Sequence, residues 1–220
     1  MIKVTAAPRP PVAGRPGGLR LGFSLAPGMR VGLYGGSFNP AHQGHTHVAV
    51  TARKRLGLDR VIWLVSPQNP LKTPRETDRL DRRMEATARH ARGPTTVVSD
   101  AERRLGSGYT IDTVRLLKAR FPGVLFVWIM GADSLNSLQA WRDWTGLLRE
   151  IPIAVVARPG VTIKSLLSPA ARRFVHARLP ATAARRLPGA RPPAWVYLTG
   201  PWNFSSSTAL RKKADPERRT

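Results

Sequence analysis

Six short apolar runs separated by amphipathic stretches constrain this chain more than any other feature. The runs fall at residues 31–34, 61–65, 95–99, 124–130, 153–157 and 195–198. Apolar residues at helical spacing lie between them, at 45–56, 79–91 and 110–120, with shorter patterns after Asp133 and near 170–177. Runs that stay apolar without alternating are strands buried on both faces, and the intervening helices supply the cover. With right-handed crossovers the expected fold is α/β, a doubly wound parallel sheet forming a single domain over residues 29–213. There is no internal repeat. Residues 179–193, rich in Arg, Pro and Ala, read as a surface connection before the last strand. Ligands of such sheets sit beyond the C-terminal strand ends.

Chemistry-bearing residues gather at the end of the first run, where residues 35–45 read Gly-Gly-Ser-Phe-Asn-Pro-Ala-His-Gln-Gly-His. A strand empties into a glycine turn, and His42 and His45, three residues apart, open a helical pattern. The arrangement sets two imidazoles, the Ser37 hydroxyl and backbone N–H groups from Gly35 onward around a helix N-terminus. Unpaired N–H donors and the positive end of the helix dipole suit that point to phosphate. Gly36 is expected to let the backbone approach a ligand where a Cβ would collide.

Four further groups of residues read as parts of a site. Residues 205–211, Ser-Ser-Ser-Thr-Ala-Leu-Arg, place helix-capping hydroxyls about one turn before Arg211, a second anion site. Residues 67–72, Pro-Gln-Asn-Pro-Leu-Lys, present Lys72 on a proline-stiffened loop as a point charge for phosphate. Asp133, at the end of the strongest strand, suits ribose hydroxyls. Of the two indoles after it, Trp141 suits a planar electron-poor ring and Trp144 a core anchor. The loop 106–110, Gly-Ser-Gly-Tyr-Thr, runs through Tyr109 and Thr110 into a helix start whose N–H groups suit a carboxylate.

Composition narrows the classes of function. The chain has no cysteine, which excludes disulfides, thiolate nucleophiles and zinc–sulfur sites and fits a reducing cytoplasm. Its formal charge is +23, yet only seven of its 36 basic residues are lysine, and Ala, Pro and Gly are abundant with them. That pattern fits a GC-rich genome, and no aromatic-interleaved motif accompanies the basic residues, so nucleic acid is not expected as a main partner. A positive field would instead steer anionic substrates. Residues 1–28 hold five prolines, five glycines, four basic residues and no acid. They are expected to be a disordered extension, or an over-long start before Met29, lying outside the fold; residues 214–220 read as a charged tail. No run approaches the ~20 apolar residues that span a bilayer.

The motifs carry a family resemblance. His42-Gln43-Gly44-His45 behind Gly-Gly-Ser-Phe resembles the His-x-Gly-His mark of the nucleotidyltransferase superfamily, whose fold is Rossmann-like. The order of that loop, Asn-Pro-x-Lys, Tyr-Thr-x-Asp-Thr, Gly-Ala-Asp-Ser-Leu with Trp-x-x-Trp, Ala-Arg158-Pro-Gly and Ser-Ser-Thr-x-x-Arg looks like the bacterial nicotinate-mononucleotide adenylyltransferases. The likeness runs over residues 30–211 apart from 161–193. Three positions depart from the usual pattern: Asn39 stands for Asp, and Ser205 and Leu210 stand for Ile.

The resemblance implies transfer of AMP from ATP to nicotinate mononucleotide, giving deamido-NAD and pyrophosphate. It assigns His45 to the α-phosphate, and His42 with Arg211 to the outer phosphates. Gly35, Gly36, Ser37, Ser206, Ser207 and Thr208 would bind ATP phosphates, and Asp133 its ribose. Ser37, Lys72, Tyr109, Thr110 and Trp141 would hold the mononucleotide. Mg2+ is implied with ATP, held by substrate oxygens and water and not by a protein cage. Competing readings are a nicotinamide-mononucleotide or phosphopantetheine adenylyltransferase and a basic RNA-binding protein. A class I aminoacyl-tRNA synthetase fragment would need a Lys-Met-Ser-Lys-Ser sequence, which is not present.

Overall fold

Seven strands, all parallel, form one sheet in the computed structural model, which describes residues 22–67, 77–157 and 165–199. They are β1 (Arg30–Gly36), β2 (Arg60–Val65), β3 (Thr96–Ser99), β4 (Leu125–Gly131), β5 (Ile153–Val156), β6 (Arg178–Leu179) and β7 (Trp195–Leu198), in the order β3-β2-β1-β4-β5-β7-β6. Every expected apolar run is a strand, within two residues at each end. The helices are α1 (Gln43–Leu56), α2 (Leu80–His90), α3 (Ala101–Leu105), α4 (Thr110–Arg120), α5 (Ala132–Ser137), α6 (Trp144–Glu150) and α7 (Pro169–Arg173).

The two faces of the sheet carry separate apolar cores. Leu33, Leu64, Trp128 and Val155 pack against Ile111, Val114 and Leu117 of α4 and Leu147 of α6. Their neighbours Tyr34, Trp63, Ile129 and Val156 point to the other face, against Val48, Ala52 and Leu56 of α1. Alternation along a strand with both sides apolar is what a doubly wound sheet requires, and each fully buried Val, Leu or Ile contributes about 1.5–3 kcal/mol.

Two stretches depart from expectation. Residues 22–28 belong to the fold: Phe23 and Leu25 pack on the first core, and the Phe23 ring lies 5.8 Å from that of Phe121. The Gly28 N–H donates to the Gly123 carbonyl (2.8 Å) and Arg60 Nη1 to the Ser24 carbonyl (3.2 Å). Two large apolar side chains suffice to seat a segment whose Pro/Gly content argues for disorder. Residues 1–21 lie outside the described residues. The stretch 179–193 is also more than a surface connection. It continues from edge strand β6 into a 3-10 helix, Ala181–Gly189, whose Ala184 and Leu187 are buried in the second core.

The strand order reverses at β1, because β2 and β4 flank it while the chain passes to opposite faces. Beyond Tyr34 the two flanks differ. Pairing with β2 continues to Gly36↔Val65, but pairing with β4 stops at Tyr34↔Ile129. The C-terminal end of β1 therefore parts from β4 and opens a crevice at the switch point, where ligands of such sheets bind.

Candidate active site

The crevice floor is built from glycines that yield to the protein's own rings. A Cβ on Gly35 would lie 2.3 Å from Cη2 and 2.6 Å from Cζ2 of Trp128, whose indole reaches from β4 across β1. A Cβ on Gly36 would lie 3.1 Å from the Phe38 ring. The Cβ direction at Gly36 thus faces the Phe38 ring. Phe38 sits at φ 45°, a left-handed conformation that costs a non-glycine residue about 1–2 kcal/mol. Its ring is held edge-on by Tyr34 (5.3 Å) and His45 (5.1 Å) and leans on Trp63 (5.1 Å).

His42 and His45 stand at the first turn of α1 and cap it reciprocally. The Gly44 N–H donates to His42 Nδ1 (3.0 Å), and the His42 N–H donates to His45 Nδ1 (3.2 Å). This is a capping box in which imidazoles replace the usual hydroxyl and carboxylate. It starts the helix at Gln43, two residues before the helical spacing does. A nitrogen that accepts carries no proton, so each neutral ring has its N–H at Nε2. The rings lie 3.9 Å apart, His42 buried and His45 half-buried. No acidic residue occupies the first turn, so the positive helix end is not neutralised by α1 itself.

Arg83 of α2 joins the segments around this loop, and sequence reasoning missed it. Its guanidinium is buried and donates from Nη1 to the carbonyls of Ser37 and Ser66, from Nη2 to Pro67 and from Nε to Asp78, each at 2.8 Å. Burial pulls its pKa below the ordinary arginine value, and the nearby Asp78 charge opposes that shift. The available signal was helical phase: Leu80, Met84 and Ala91 pack on the second core, and Arg83 and Thr87 are the buried residues of α2.

Other expected site residues also lie where the chain leaves the C-terminal edge of the sheet. Asp133 is exposed in the first turn of α5, immediately after β4. Trp141 is half-buried and edge-on to Trp128, ring centroids 6.3 Å apart, which links it through that indole to Gly35. Trp144 is packed as an anchor against Phe174. Tyr109 precedes α4 and makes no side-chain cap. The N–H groups of Asp112 and Thr113 return to its carbonyl, and Arg142 covers its ring at 4.5 Å. Thr110 opens α4, whose first N–H groups have no intrahelical acceptor. Lys72, Arg158, Ser206, Ser207, Thr208 and Arg211 lie outside the described residues.

Comparison with known proteins bears on the family and the fold. The model of the cytidylyltransferase-like family matches residues 33–213. A curated protein of Caulobacter sp. (strain K31), a "probable nicotinate-nucleotide adenylyltransferase", is 66% identical over 183 residues, covering 83% of this chain and 97% of its own length. One of the same name from Parvibaculum lavamentivorans is 50% identical, covering 86% and 94%. Among solved structures, the Plasmodium falciparum nicotinic acid mononucleotide adenylyltransferase complexed with APC superposes with a TM-score of 0.60 at 17% identity. It covers 83% of this chain and 82% of its own, a likeness of fold.

Proposed function

The chain belongs to the nicotinate-nucleotide adenylyltransferases of the cytidylyltransferase-like family, and we propose that it transfers the adenylyl group of ATP to nicotinate mononucleotide. The products are pyrophosphate and nicotinate adenine dinucleotide, on the way to NAD. The observation that carries this reading is the histidine cap at the open β1–β4 edge, two Nε2–H donors on an unneutralised helix end.

A phosphate oxygen of the mononucleotide attacks the α-phosphorus of ATP, and the bond to the pyrophosphate oxygen breaks. That phosphate is already ionised at neutral pH, so no general base is required and catalysis is positioning plus charge stabilisation. In this reading His45 Nε2–H donates to an α-phosphate oxygen, and His42 with Arg211 meets the outer phosphates. Ser206, Ser207 and Thr208 hold the triphosphate, and Asp133 the adenosine ribose. Ser37 and Lys72 hold the mononucleotide phosphate, and Trp141 the pyridine ring. The uncapped start of α4 at Tyr109 and Thr110 receives the nicotinate carboxylate.

Magnesium enters as part of the Mg–ATP substrate, held by phosphate oxygens and water. The donors around the crevice suit phosphate oxygens. Among the described residues no three His, Asp or Glu side chains stand close enough to cage an ion. No helix among them is long and apolar enough to cross a membrane, and we read the enzyme as cytoplasmic. Its partners are then the two small anionic substrates. The catalytic domain on this reading extends from residue 22 to about 213, the limit of the family match.

The test is label transfer. ATP labelled at the α-phosphorus is expected to deliver its label to a dinucleotide when nicotinate mononucleotide is present, with the pyrophosphate unlabelled. Label appearing only in AMP or ADP would overturn the reading.

A further inference from the structure

Arg83 is 2% exposed, whereas the side chains of Arg79 and Arg82 on the same turn are 78% and 72% exposed. We infer that Arg83 is a positioning residue for the phosphate loop, fixing through the Ser37 carbonyl the direction in which the Phe38 N–H is offered to substrate phosphate. The inference rests on the adenylyl-transfer reading above.

Four of the five guanidinium N–H donors are spent on backbone carbonyls from three separate segments. Ser37 follows β1, Ser66 and Pro67 follow β2, and Asp78 precedes α2. One planar group thus sets the spacing between the exits of β1 and β2. The Ser37–Phe38 peptide is trans, the cis bonds being Asn39–Pro40 and Pro192–Pro193. In a trans peptide C=O and N–H point in opposite directions, so a Ser37 carbonyl held on Arg83 turns the Phe38 N–H away from it. That N–H makes no hydrogen bond within the described residues.

The same contact removes an obstacle. Carbonyl lone pairs facing a crevice repel an anion, and Arg83 gathers those of Ser37, Ser66 and Pro67 onto itself. No carboxylate pairs with the guanidinium among the described residues; Asp78 Oδ1 lies 3.9 Å from Arg82. The guanidinium hydrogen-bonds to carbonyl dipoles and to no carboxylate among the described residues. A lysine would keep the charge but present its donors from one nitrogen, unable to span carbonyls at three corners of a plane.

The experiment compares Arg83→Lys and Arg83→Ala with the full-length wild-type chain. Steady-state constants for ATP and nicotinate mononucleotide, the ATP Kd by calorimetry and the melting temperature are measured together, with and without methylguanidinium. Misplaced loop donors should lower kcat/KM about 10²-fold in Arg83→Lys and weaken ATP binding. Methylguanidinium should restore part of the activity of Arg83→Ala and none of that of Arg83→Lys. A lower melting temperature with kcat, KM and ATP Kd unchanged would overturn the inference, leaving Arg83 a structural residue. If Arg83→Ala does not fold, the lysine variant decides. If the wild type transfers nothing to nicotinate mononucleotide, the functional reading fails by itself. The ATP Kd of Arg83→Lys then still judges this one, and an unchanged value sinks it.

Discussion

At the N-terminus of α1 the cap and the proposed phosphate site are made from the same two side chains, so structure and chemistry must be separated by choice of variant. Glutamine at a third helical position can accept from the N-cap N–H, as in an ordinary capping box. His45→Gln is therefore expected to melt within about 0.5 kcal/mol of wild type while kcat falls ~10²–10³-fold, the usual loss for one transition-state donor. Turnover near wild type would remove His45 from the mechanism. Gly35 makes a sharper packing claim, because its missing Cβ is replaced by Trp128 carbons. Gly35→Ala should destabilise by about 1–3 kcal/mol. Trp128→Phe deletes the two colliding carbons, and its buried Nε1 has no hydrogen-bond partner to lose among the described residues. The double variant should be more stable than the sum of the singles predicts by about 1–2 kcal/mol. Strict additivity in chemical denaturation would contradict the contact.

At the scale of elements, the segment before β1 and helix α3 each carry a stability prediction. Phe23 rests on Phe121 beside the first core. Phe23→Ala should cost about 1–2 kcal/mol, and a melting curve indistinguishable from wild type would return residues 22–28 to the exterior. In α3 the Glu102 carboxyl is buried, and that burial pushes its pKa from 4.5 up to about 7. The folded state then holds a proton that the unfolded chain releases near pH 4.5. This contribution to stability is present below that pH and is lost as pH rises through about 7, by about 3 kcal/mol. Glu102→Gln should raise the melting temperature at pH 8 and change it little at pH 4.5. An equal effect at both values would contradict the shift. Six of the seven strands were legible in the sequence because each is a largely apolar run, whereas β6, Arg178–Leu179, carries no such run. Residues 22–28 and the 3-10 helix at Ala181–Gly189 were not, because each packs only two or three apolar side chains on the cores, within Pro-, Gly- or Arg-rich sequence.

Over the whole molecule, the geometry of the candidate site was legible where one short segment brings its groups together, as His42 and His45 do at the start of α1. It was not legible where distant segments meet. Nothing local marks Trp128 as the reason for Gly35, or separates Arg83 from the arginines around it. The formal charge of +23 belongs to this scale too. It suits two anionic substrates, and the account rests on which acceptor the crevice prefers. Donors at the start of α4 would meet a carboxylate, whereas an amide would leave them facing an N–H2 group. An unmatched buried donor costs ~1–3 kcal/mol, and more when the lost partner is charged. The most direct test is kcat/KM for pyrophosphate release from ATP with nicotinate mononucleotide, nicotinamide mononucleotide and phosphopantetheine in parallel. The nicotinate substrate should lead the amide by roughly tenfold to several-thousandfold, with phosphopantetheine inactive. Equal use of acid and amide, or a preference for either alternative acceptor, would contradict the account.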